Sequence, residues 1–200
     1  MNQDDERARG DLDDPFARFQ RWYEDAARAL AEPEVMTLAT VGEGGRPSAR
    51  AVLLRGFDRR GLCFFTDLGS RKSRELTANP LAALSIYWPP SRQVRVEGRA
   101  EPVSDEEADR YFATRPRPSQ IGAWASQQSE PLADRRELDE RVAEMISRFA
   151  GHDVARPPGW SGFRVVPDRF EFWVRGEARL HDRDEYVLDG GVWRRRLLYP

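Results

Sequence analysis

Residues 111–129 read YFATRPRPSQIGAWASQQS, and the rest of the chain is best interpreted around this stretch. Tyr111 and Arg115 are four positions apart, so a helix that runs up to them presents both on one face. Pro116 disfavours helical backbone at Arg115, and Ser119 is a good N-cap for a short helix behind it. A phenol, a guanidinium and a hydroxyl at a helix N-terminus suit an anion, most simply a phosphate monoester. The alternative is a capped surface turn with an exposed arginine.

Composition limits the classes of function. The chain has 200 residues, 40% hydrophobic and 33% charged, which is typical of a globular protein with a sizeable core. Its net charge of −2 lacks the basic excess of a general nucleic-acid binder, so any anion binding should be local. No apolar run reaches the roughly 20 residues of a membrane span, and the polar N-terminus lacks a signal-peptide core. These features predict a cytoplasmic protein. Cys63 is the single cysteine, and with two histidines it predicts neither a disulfide nor a metal site.

Hydrophobic periodicity and turn residues predict a mainly β chain. Residues 1–14 are expected to form a mobile arm, and 15–200 a single domain. Helices are predicted over 16–31, 71–78, 105–114, 120–124 and 133–150. Strands are predicted over 35–41, 46–55, 62–66, 81–88, 93–99, 162–166, 169–174, 178–183, 186–188 and 192–198. Many short strands in hairpin-like order indicate an antiparallel barrel or sandwich with peripheral helices. No glycine-rich phosphate loop is present, so side chains must hold the phosphate of any nucleotide-like cofactor.

Two further stretches carry cations. In a strand over 178–183, Arg179, His181 and Arg183 share one face, which calls for an anionic or electron-rich group against them; the alternative is a solvated edge strand. Ser70-Arg71-Lys72-Ser73 lies at a predicted helix start, where the helix dipole also favours anions. Lys72 is the only lysine among 32 basic residues, which suggests a task that arginine performs poorly.

Other polar groups suit a ring-shaped ligand. Arg50 and Arg55 flank an apolar strand, and they point to opposite faces unless one lies beyond the strand end; an ordinary core strand is the alternative. The amides of Gln93 and Gln128 suit a heterocycle such as the flavin pyrimidine edge. Trp173 is suited to flank such a ring, although most tryptophans are core residues. Donors are many and candidate acids or nucleophiles few, which favours an enzyme whose cofactor does the chemistry.

These motifs together resemble the pyridoxamine 5′-phosphate oxidase family of FMN enzymes, over nearly the whole chain. The motifs are RAVLLRG (50–56), FFT (64–66), SRKSRELTANP (70–80), RQVRVEG (92–98), the 111–129 stretch, WSGFRV (160–165), EFW (171–173) and RLHDR (179–183). The resemblance implies a Greek-key split β-barrel that works as a homodimer, with two FMN sites at the subunit interface.

The resemblance also implies roles for individual residues. The implied FMN contacts are Arg50, Ala51, Val52, Leu53, Leu54, Phe65, Thr66, Arg71, Lys72, Gln93, Gln128, Ser129, Trp173 and Arg183. Arg71 and Lys72 would meet the FMN phosphate. The substrate phosphate would be held by Arg55, Tyr111, Arg115 and Ser119. Arg179 and His181 would bind the substrate ring and act as the catalytic pair. Three positions depart from the family pattern, which usually has Lys where Arg55 stands, the first Gly of a WGG motif where Ser161 stands and Gln where Val174 stands.

The implied activity is oxidation of pyridoxamine and pyridoxine 5′-phosphates to pyridoxal 5′-phosphate, with O2 as acceptor and H2O2 released. One alternative is a split-barrel flavin oxidase for another substrate, such as a phenazine precursor. Another is a non-catalytic protein that binds FMN or pyridoxal phosphate.

Overall fold

A long strand of aromatic and β-branched residues, Trp160–Val174, organises the sheet. The structure is a computed structural model that describes residues 14–200. The predicted mobile arm over 1–14 therefore lies, apart from Asp14, outside the described residues. The described part forms one antiparallel sheet with helices around it, which confirms the prediction of a mainly β protein with peripheral helices.

The strands are numbered in chain order. They are β1 Val35–Val41, β2 Pro47–Leu53, β3 Gly56–Asp58, β4 Gly61–Asp67, β5 Leu81–Trp88, β6 Arg92–Pro102, β7 Trp160–Val174, β8 Asp182–Asp189 and β9 Val192–Leu197. Their order in the sheet is β2-β1-β5-β6-β7-β4-β3, and β8 pairs with β7 and β9. The first part of β7 pairs with β4 and its last part with β8, while β6 runs along its other edge.

The continuity of β7 corrects the prediction of two separate strands over 162–166 and 169–174. A register shift between Glu97 and Gly98 of β6 absorbs the irregularity opposite Pro167. Gly98 is needed there, because a Cβ at this position would lie 2.1 Å from the carbonyl oxygen of Val166. The predicted strands also leave out residues 56–61, where Gly56–Asp58 forms the short strand β3.

Five α-helices lie within the described residues. They are α1 Pro15–Ala29, α2 Arg71–Ala78, α3 Asp105–Thr114, α4 Arg117–Ala125 and α5 Arg135–Arg148. Asp14 and Asp134 cap α1 and α5, and the Ser104 hydroxyl accepts from the Glu107 amide, 3.2 Å away, to cap α3. None of the described helices combines the length and the apolar character needed to cross a membrane.

The core has a main part and two smaller ones, of which the larger lies beside the start of β7 and the other contains Cys63, Val103 and Ala108. The main core lies between α1 and the sheet and includes the fully buried Phe19, Phe64, Phe170 and Phe172. Each such side chain contributes about 1.5–3 kcal/mol when it is removed from water. The larger of the two smaller cores packs α4 and α5 against the start of β7, around Trp160. This second core fixes the 111–129 stretch on the sheet.

Candidate active site

A cavity of about 820 Å³ lies where β2 and β4 face α3, α4 and the start of β7. Eleven of the residues predicted to bind cofactor or substrate line it. They are Ala51, Val52, Leu53, Arg55, Phe65, Thr66, Lys72, Tyr111, Arg115, Ser119 and Gln128. The cavity therefore brings together residues from the middle and from the first third of the chain.

Arg115 lies at the end of α3 with a guanidinium that is short of partners. Helix α3 stops at Thr114 and Arg115 is extended, with φ −70° and ψ 143°, as the following proline predicts. Its guanidinium carbon lies 4.8 Å from the ring centroid of Trp160. Its Nη1 is buried and has no hydrogen-bond partner. Burial lowers the pKa of Arg115, so the site holds a cation that an anionic ligand would stabilise.

Tyr111 and Ser119 flank Arg115, although Ser119 is not placed as predicted. The Tyr111 ring stacks on Phe65 with centroids 4.2 Å apart, which fixes the phenol at the cavity wall. The prediction of Ser119 as an N-cap is wrong, because α4 begins at Arg117 and Ser119 lies in its first turn. Pro118 is accommodated in that first turn, where its missing N–H is no loss. Ser119 still lines the cavity.

Lys72 is the second cation of the cavity, and oxygen atoms without formal charge surround it. Its Nζ donates to Thr66 Oγ1 at 3.0 Å, to Ser70 Oγ at 3.1 Å and to Gln128 Oε1 at 2.6 Å. Burial, and then the nearby charge of Arg50, lower the pKa of Lys72. No carboxylate of the described residues forms an ion pair with this ammonium group, so it too is suited to an anionic ligand.

Arg50 and Arg71, both predicted to contact FMN, do not line the cavity. Arg71 donates its Nε to Glu75 Oε1 at 2.8 Å. Arg50 donates to Glu75 Oε2 at 3.0 Å, and also to Thr40 and Ser48, and it does not line the cavity. Arg50 is thus part of the support of the site and not of its wall.

The remaining predicted residues near the cavity differ in their exposure to it. Arg55 lies beyond the end of β2, one of the two predicted possibilities, and forms an ion pair with Glu34 at 3.6 Å. Leu54 is 3% exposed and belongs to the main core, so of this apolar run only residues 51–53 face the cavity. The Ser129 hydroxyl accepts from the Arg71 amide at 3.1 Å, with Ser129 itself at φ 75°.

The other five predicted residues form a second cluster that does not line the cavity. They are Gln93, Trp173, Arg179, His181 and Arg183. Gln93 pairs with Trp173 across β6 and β7, and Trp173 pairs with Arg183 across β7 and β8. The rings of Trp173 and His181 lie 4.6 Å apart between centroids. Arg183 donates its Nε to Glu171 at 2.8 Å.

The predicted strand over 178–183 is wrong. Glu177–Arg179 forms a short 3₁₀ turn in which Ala178 and Arg179 have φ values of 50° and 65°, and β8 starts only at Asp182. A close approach explains the turn, because a Cβ on Gly176 would lie 1.8 Å from the Leu180 carbonyl oxygen. Arg179 and His181 are therefore displayed from a tight loop and not from one face of a strand.

Sequence reasoning missed two residues that shape the site. Trp160 lines the cavity and lies under Arg115. It follows a proline-rich connector, and the sequence indicated only that it belongs to the WSGFRV motif, without a role in the site. Glu75 links Arg50 and Arg71. Its spacing of four residues from Arg71 on a predicted helix was a usable signal for that ion pair.

Comparison with known proteins agrees with the motifs. The family profile described as pyridoxamine 5′-phosphate oxidase matches residues 23–149. A second profile, the pyridoxine 5′-phosphate oxidase C-terminal dimerisation region, matches residues 160–200. The second cluster, apart from Gln93, falls within this dimerisation region.

Related sequences cover almost the whole chain. The pyridoxine/pyridoxamine 5′-phosphate oxidase of Myxococcus xanthus (strain DK1622) is 58% identical over 189 residues, which cover 94% of this chain and 92% of the relative. The enzyme of the same name from Zymomonas mobilis is 49% identical over 189 residues, covering 94% and 98%.

Solved structures share the fold. PhzG from Burkholderia lata 383, solved in complex with tetrahydrophenazine-1-carboxylic acid, has a TM-score of 0.89 at 35% identity and covers 95% of this chain and 96% of its own. A pyridoxamine 5′-phosphate oxidase-related, FMN binding protein from Nostoc punctiforme has a TM-score of 0.74 at 19% identity, covering 94% and 98%. The predicted split-barrel fold is thereby confirmed. Profiles, relatives and fold agree with the motifs, and the chain belongs to the pyridoxamine 5′-phosphate oxidase family.

Proposed function

We propose that this protein is an FMN-dependent oxidase that converts pyridoxamine 5′-phosphate and pyridoxine 5′-phosphate to pyridoxal 5′-phosphate. The observation that carries the proposal is a single cavity with two cations that lack carboxylate partners within hydrogen-bond distance, Lys72 and Arg115. A flavin phosphate and a substrate phosphate supply the two anions that these groups call for. The names of the related sequences support the same substrates.

The residues around Lys72 fit FMN. Lys72 and Arg71 would hold its phosphate, with the Ser129 and Thr66 hydroxyls beside them, and the Gln128 amide would meet polar atoms of the cofactor. Ala51, Val52 and Leu53 offer an apolar and backbone wall for the flavin. When bound, FMN supplies a ring that accepts a hydride from the substrate and passes the electrons on to O2.

The residues around Arg115 fit the substrate phosphate. A phosphate oxygen would give Arg115 Nη1 the partner that the protein does not provide. Tyr111 and Ser119 would donate hydroxyl hydrogen bonds to the same group, and Arg55 would add a guanidinium from the opposite wall. This anchoring would position the pyridine ring against the flavin, so that part of the binding energy is used to orient the reacting groups.

The oxidation itself removes two electrons from the C4′ carbon of the substrate. The amine substrate loses a hydride from C4′ and a proton from nitrogen, and water hydrolyses the resulting imine to the aldehyde and ammonia. The alcohol substrate loses a hydride and its hydroxyl proton to give the aldehyde directly. The two electrons and two protons convert O2 to H2O2, so the reaction balances without any other oxidant.

Arg179 and His181 would orient the substrate ring. The His181 Nδ1 accepts from the Gly176 amide at 3.2 Å, which leaves Nε2 to donate to the substrate. Because these residues do not line the cavity of their own chain, we propose that a second copy supplies them. The dimerisation region that contains them supports this arrangement, which places each FMN at the subunit interface of a homodimer.

A spectroscopic experiment tests the proposal. The purified protein should carry a flavin absorbance that bleaches when pyridoxamine 5′-phosphate is added without oxygen. The absorbance should return with air, with one H2O2 formed per aldehyde. Unphosphorylated pyridoxamine should react far more slowly, because it leaves Arg115 without its partner. A flavin protein that does not bleach with either vitamer would refute the oxidase and leave a binding protein.

A second candidate follows from the likeness to PhzG. The carboxylate of a tetrahydrophenazine acid is also an anion that Arg115 could bind. Steady-state oxidation of tetrahydrophenazine-1-carboxylic acid, measured beside pyridoxamine 5′-phosphate on the same preparation, separates the two. A larger kcat/KM for the tricyclic acid would favour this candidate over the first.

A further inference from the structure

Glu75 is a buried carboxylate that links two arginines beside the cavity. It lies on the second turn of α2 and is 8% exposed. Its Oε1 accepts from Arg71 Nε at 2.8 Å, and its Oε2 accepts from Arg50 at 3.0 Å and from the Thr40 hydroxyl at 2.5 Å. The partner of Oε1 lies on α2, and the partners of Oε2 lie on β1 and β2. The carboxylate is therefore held in one orientation.

Three donors keep Glu75 charged despite its burial. Burial alone opposes the charged form, but the hydrogen bonds from Thr40, Arg71 and Arg50 outweigh it and lower the pKa of Glu75. A buried carboxylate that is fully hydrogen-bonded is a fixed charge, and it resists displacement. Glu75 thus acts as a rigid point at the back of the proposed phosphate site.

The two arginines that share Glu75 differ in their remaining donors. Arg50 also donates to the Leu38 carbonyl, to Thr40 and to Ser48, so it anchors the carboxylate to the sheet. Arg71 uses only its Nε among its side-chain donors within the described residues. Its two Nη groups remain for a ligand, at the N-terminus of α2 and next to Lys72 in the chain.

We propose that Glu75 is a positioning residue for the cofactor phosphate. It fixes the guanidinium of Arg71 through Nε so that both Nη groups face the phosphate, and Arg50 and Thr40 hold Glu75 in place. The inference rests on the proposed FMN site. It assigns to Glu75 no contact with the cofactor, and it makes the recognition of FMN over riboflavin depend on a residue behind the site. A guanidinium held in this way loses less freedom when it binds phosphate.

The test compares FMN with riboflavin, which lacks the phosphate, on the flavin-free protein. Flavin fluorescence quenching gives the Kd of each for wild type and for Glu75→Gln. We expect the variant to bind FMN about tenfold more weakly and riboflavin within twofold of wild type. Equal losses for both flavins, or no loss for FMN, would overturn the proposal, because a merely structural role does not distinguish the phosphate. Glu140→Gln, on the exposed face of α5, is the control for loss of a carboxylate.

A double-mutant cycle checks the route through Arg71. In an Arg71→Gln background, Glu75→Gln should change the FMN Kd by less than twofold. A further tenfold loss would show that Glu75 acts independently of Arg71 and would refute the proposed route. If Glu75→Gln does not fold, Thr40→Val is the alternative test, because it removes the hydrogen bond to Glu75 Oε2 and leaves the carboxylate in place. It should lower the FMN preference about threefold, and an unchanged preference would overturn the proposal.

The two levels of inference fail separately. If wild-type protein binds riboflavin as tightly as FMN, the proposed phosphate site is wrong. If wild type prefers FMN and Glu75→Gln keeps that preference, the site stands and the role of Glu75 is refuted.

Discussion

Replacement of Arg115 by methionine should separate binding from stability. Methionine keeps an unbranched apolar stem of similar length and removes the guanidinium. In the ligand-free protein that guanidinium has one buried nitrogen without a partner. Arg115→Met should therefore weaken the substrate strongly, while the free energy of unfolding of the ligand-free protein changes little.

The magnitudes follow from the contacts. A hydrogen bond to a charged group contributes about 1.5–3 kcal/mol, so loss of the Arg115–phosphate contact should raise KM roughly ten- to 150-fold. A buried donor without a partner costs about 1–3 kcal/mol, and methionine removes that cost. The variant also loses the guanidinium's position 4.8 Å over the Trp160 ring, which is worth about 0.5–2 kcal/mol. The two terms oppose each other, so we expect the variant to be about as stable as wild type, or slightly more stable.

The assay measures kcat and KM for pyridoxamine 5′-phosphate by peroxide release, and stability by chemical denaturation of the flavin-free protein. Arg148→Met is a matched control, because Arg148 also stacks on a tryptophan, 4.7 Å from the Trp124 ring centroid, but is exposed and outside the cavity. It should leave KM within twofold of wild type.

Two results would refute this reasoning. A KM within twofold of wild type for Arg115→Met would remove Arg115 from the substrate site. A raised KM accompanied by a loss of more than about 2 kcal/mol in unfolding free energy would mark Arg115 as a structural residue, since that loss exceeds the net of the opposing terms.

Four other predictions concern Lys72, an ion pair outside the site, the Gly176 loop and the sharing of the site between two subunits. Lys72→Met should abolish any preference for FMN over riboflavin. Burial lowers the pKa of Lys72 in the folded protein, so between that lowered pKa and the ordinary lysine pKa the unfolded chain binds more protons than the folded one. The free energy of unfolding of wild type should therefore rise with pH over this range, relative to that of Lys72→Met. Glu107→Gln should cost roughly 1 kcal/mol near neutral pH. The hydrogen bond from Arg164 lowers the pKa of Glu107. The difference in unfolding free energy between wild type and Glu107→Gln, measured by urea titration, should therefore vanish as pH falls through that lowered pKa. Gly176→Ala should lower kcat by at least about tenfold with FMN still bound, because the added Cβ meets a carbonyl oxygen; unchanged kcat would show that the loop is not needed. Mixing Arg115→Ala and His181→Ala subunits, assayed at substrate concentrations well below the raised KM of Arg115→Ala, should restore about one quarter of wild-type activity, since half the dimers are mixed and each has one intact site. No recovery after subunit exchange, confirmed by differently tagged chains, would place both residues in one subunit.

Local patterns in the sequence predicted most of the elements. The strand Val35–Val41, the helix Arg71–Ala78 and the helix Asp105–Thr114 have the predicted bounds, because turn residues, prolines and caps mark their ends. The extended backbone of Arg115 was predictable for the same reason. Lys72 and Arg115, the two cavity cations without a carboxylate partner, were both identified from the sequence, since their surroundings in the chain are unusual.

The failures have two physical causes: pairing between distant strands, and local backbone geometry that hydrophobic periodicity does not reveal. Pro167 and Asp168 were predicted to separate two strands, but pairing with β6 continues on both sides of Asp168, with a register shift at that point, and keeps β7 continuous. Alternation over 178–183 predicted a strand, but Gly176 lies so close to the carbonyl of Leu180, four residues later, that the chain forms a tight loop there. Ser119 read as a cap, but the preceding prolines start the helix earlier. The link between Arg50 and Arg71 through Glu75 joins separate elements, and periodicity alone does not reveal it.

The length of β7 has a consequence for how such a site is completed. Trp160, at its start, is in the cavity wall, and Trp173, near its end, is in the second cluster. At about 3.3 Å of rise per residue, the strand places roughly 40 Å of backbone between them. Hydrogen bonds along both edges make this strand stiff. Hinge bending within one subunit is therefore not a suitable way to bring Trp160 and Trp173 together. Under the proposed arrangement, assembly takes the place that a moving lid has in other enzymes.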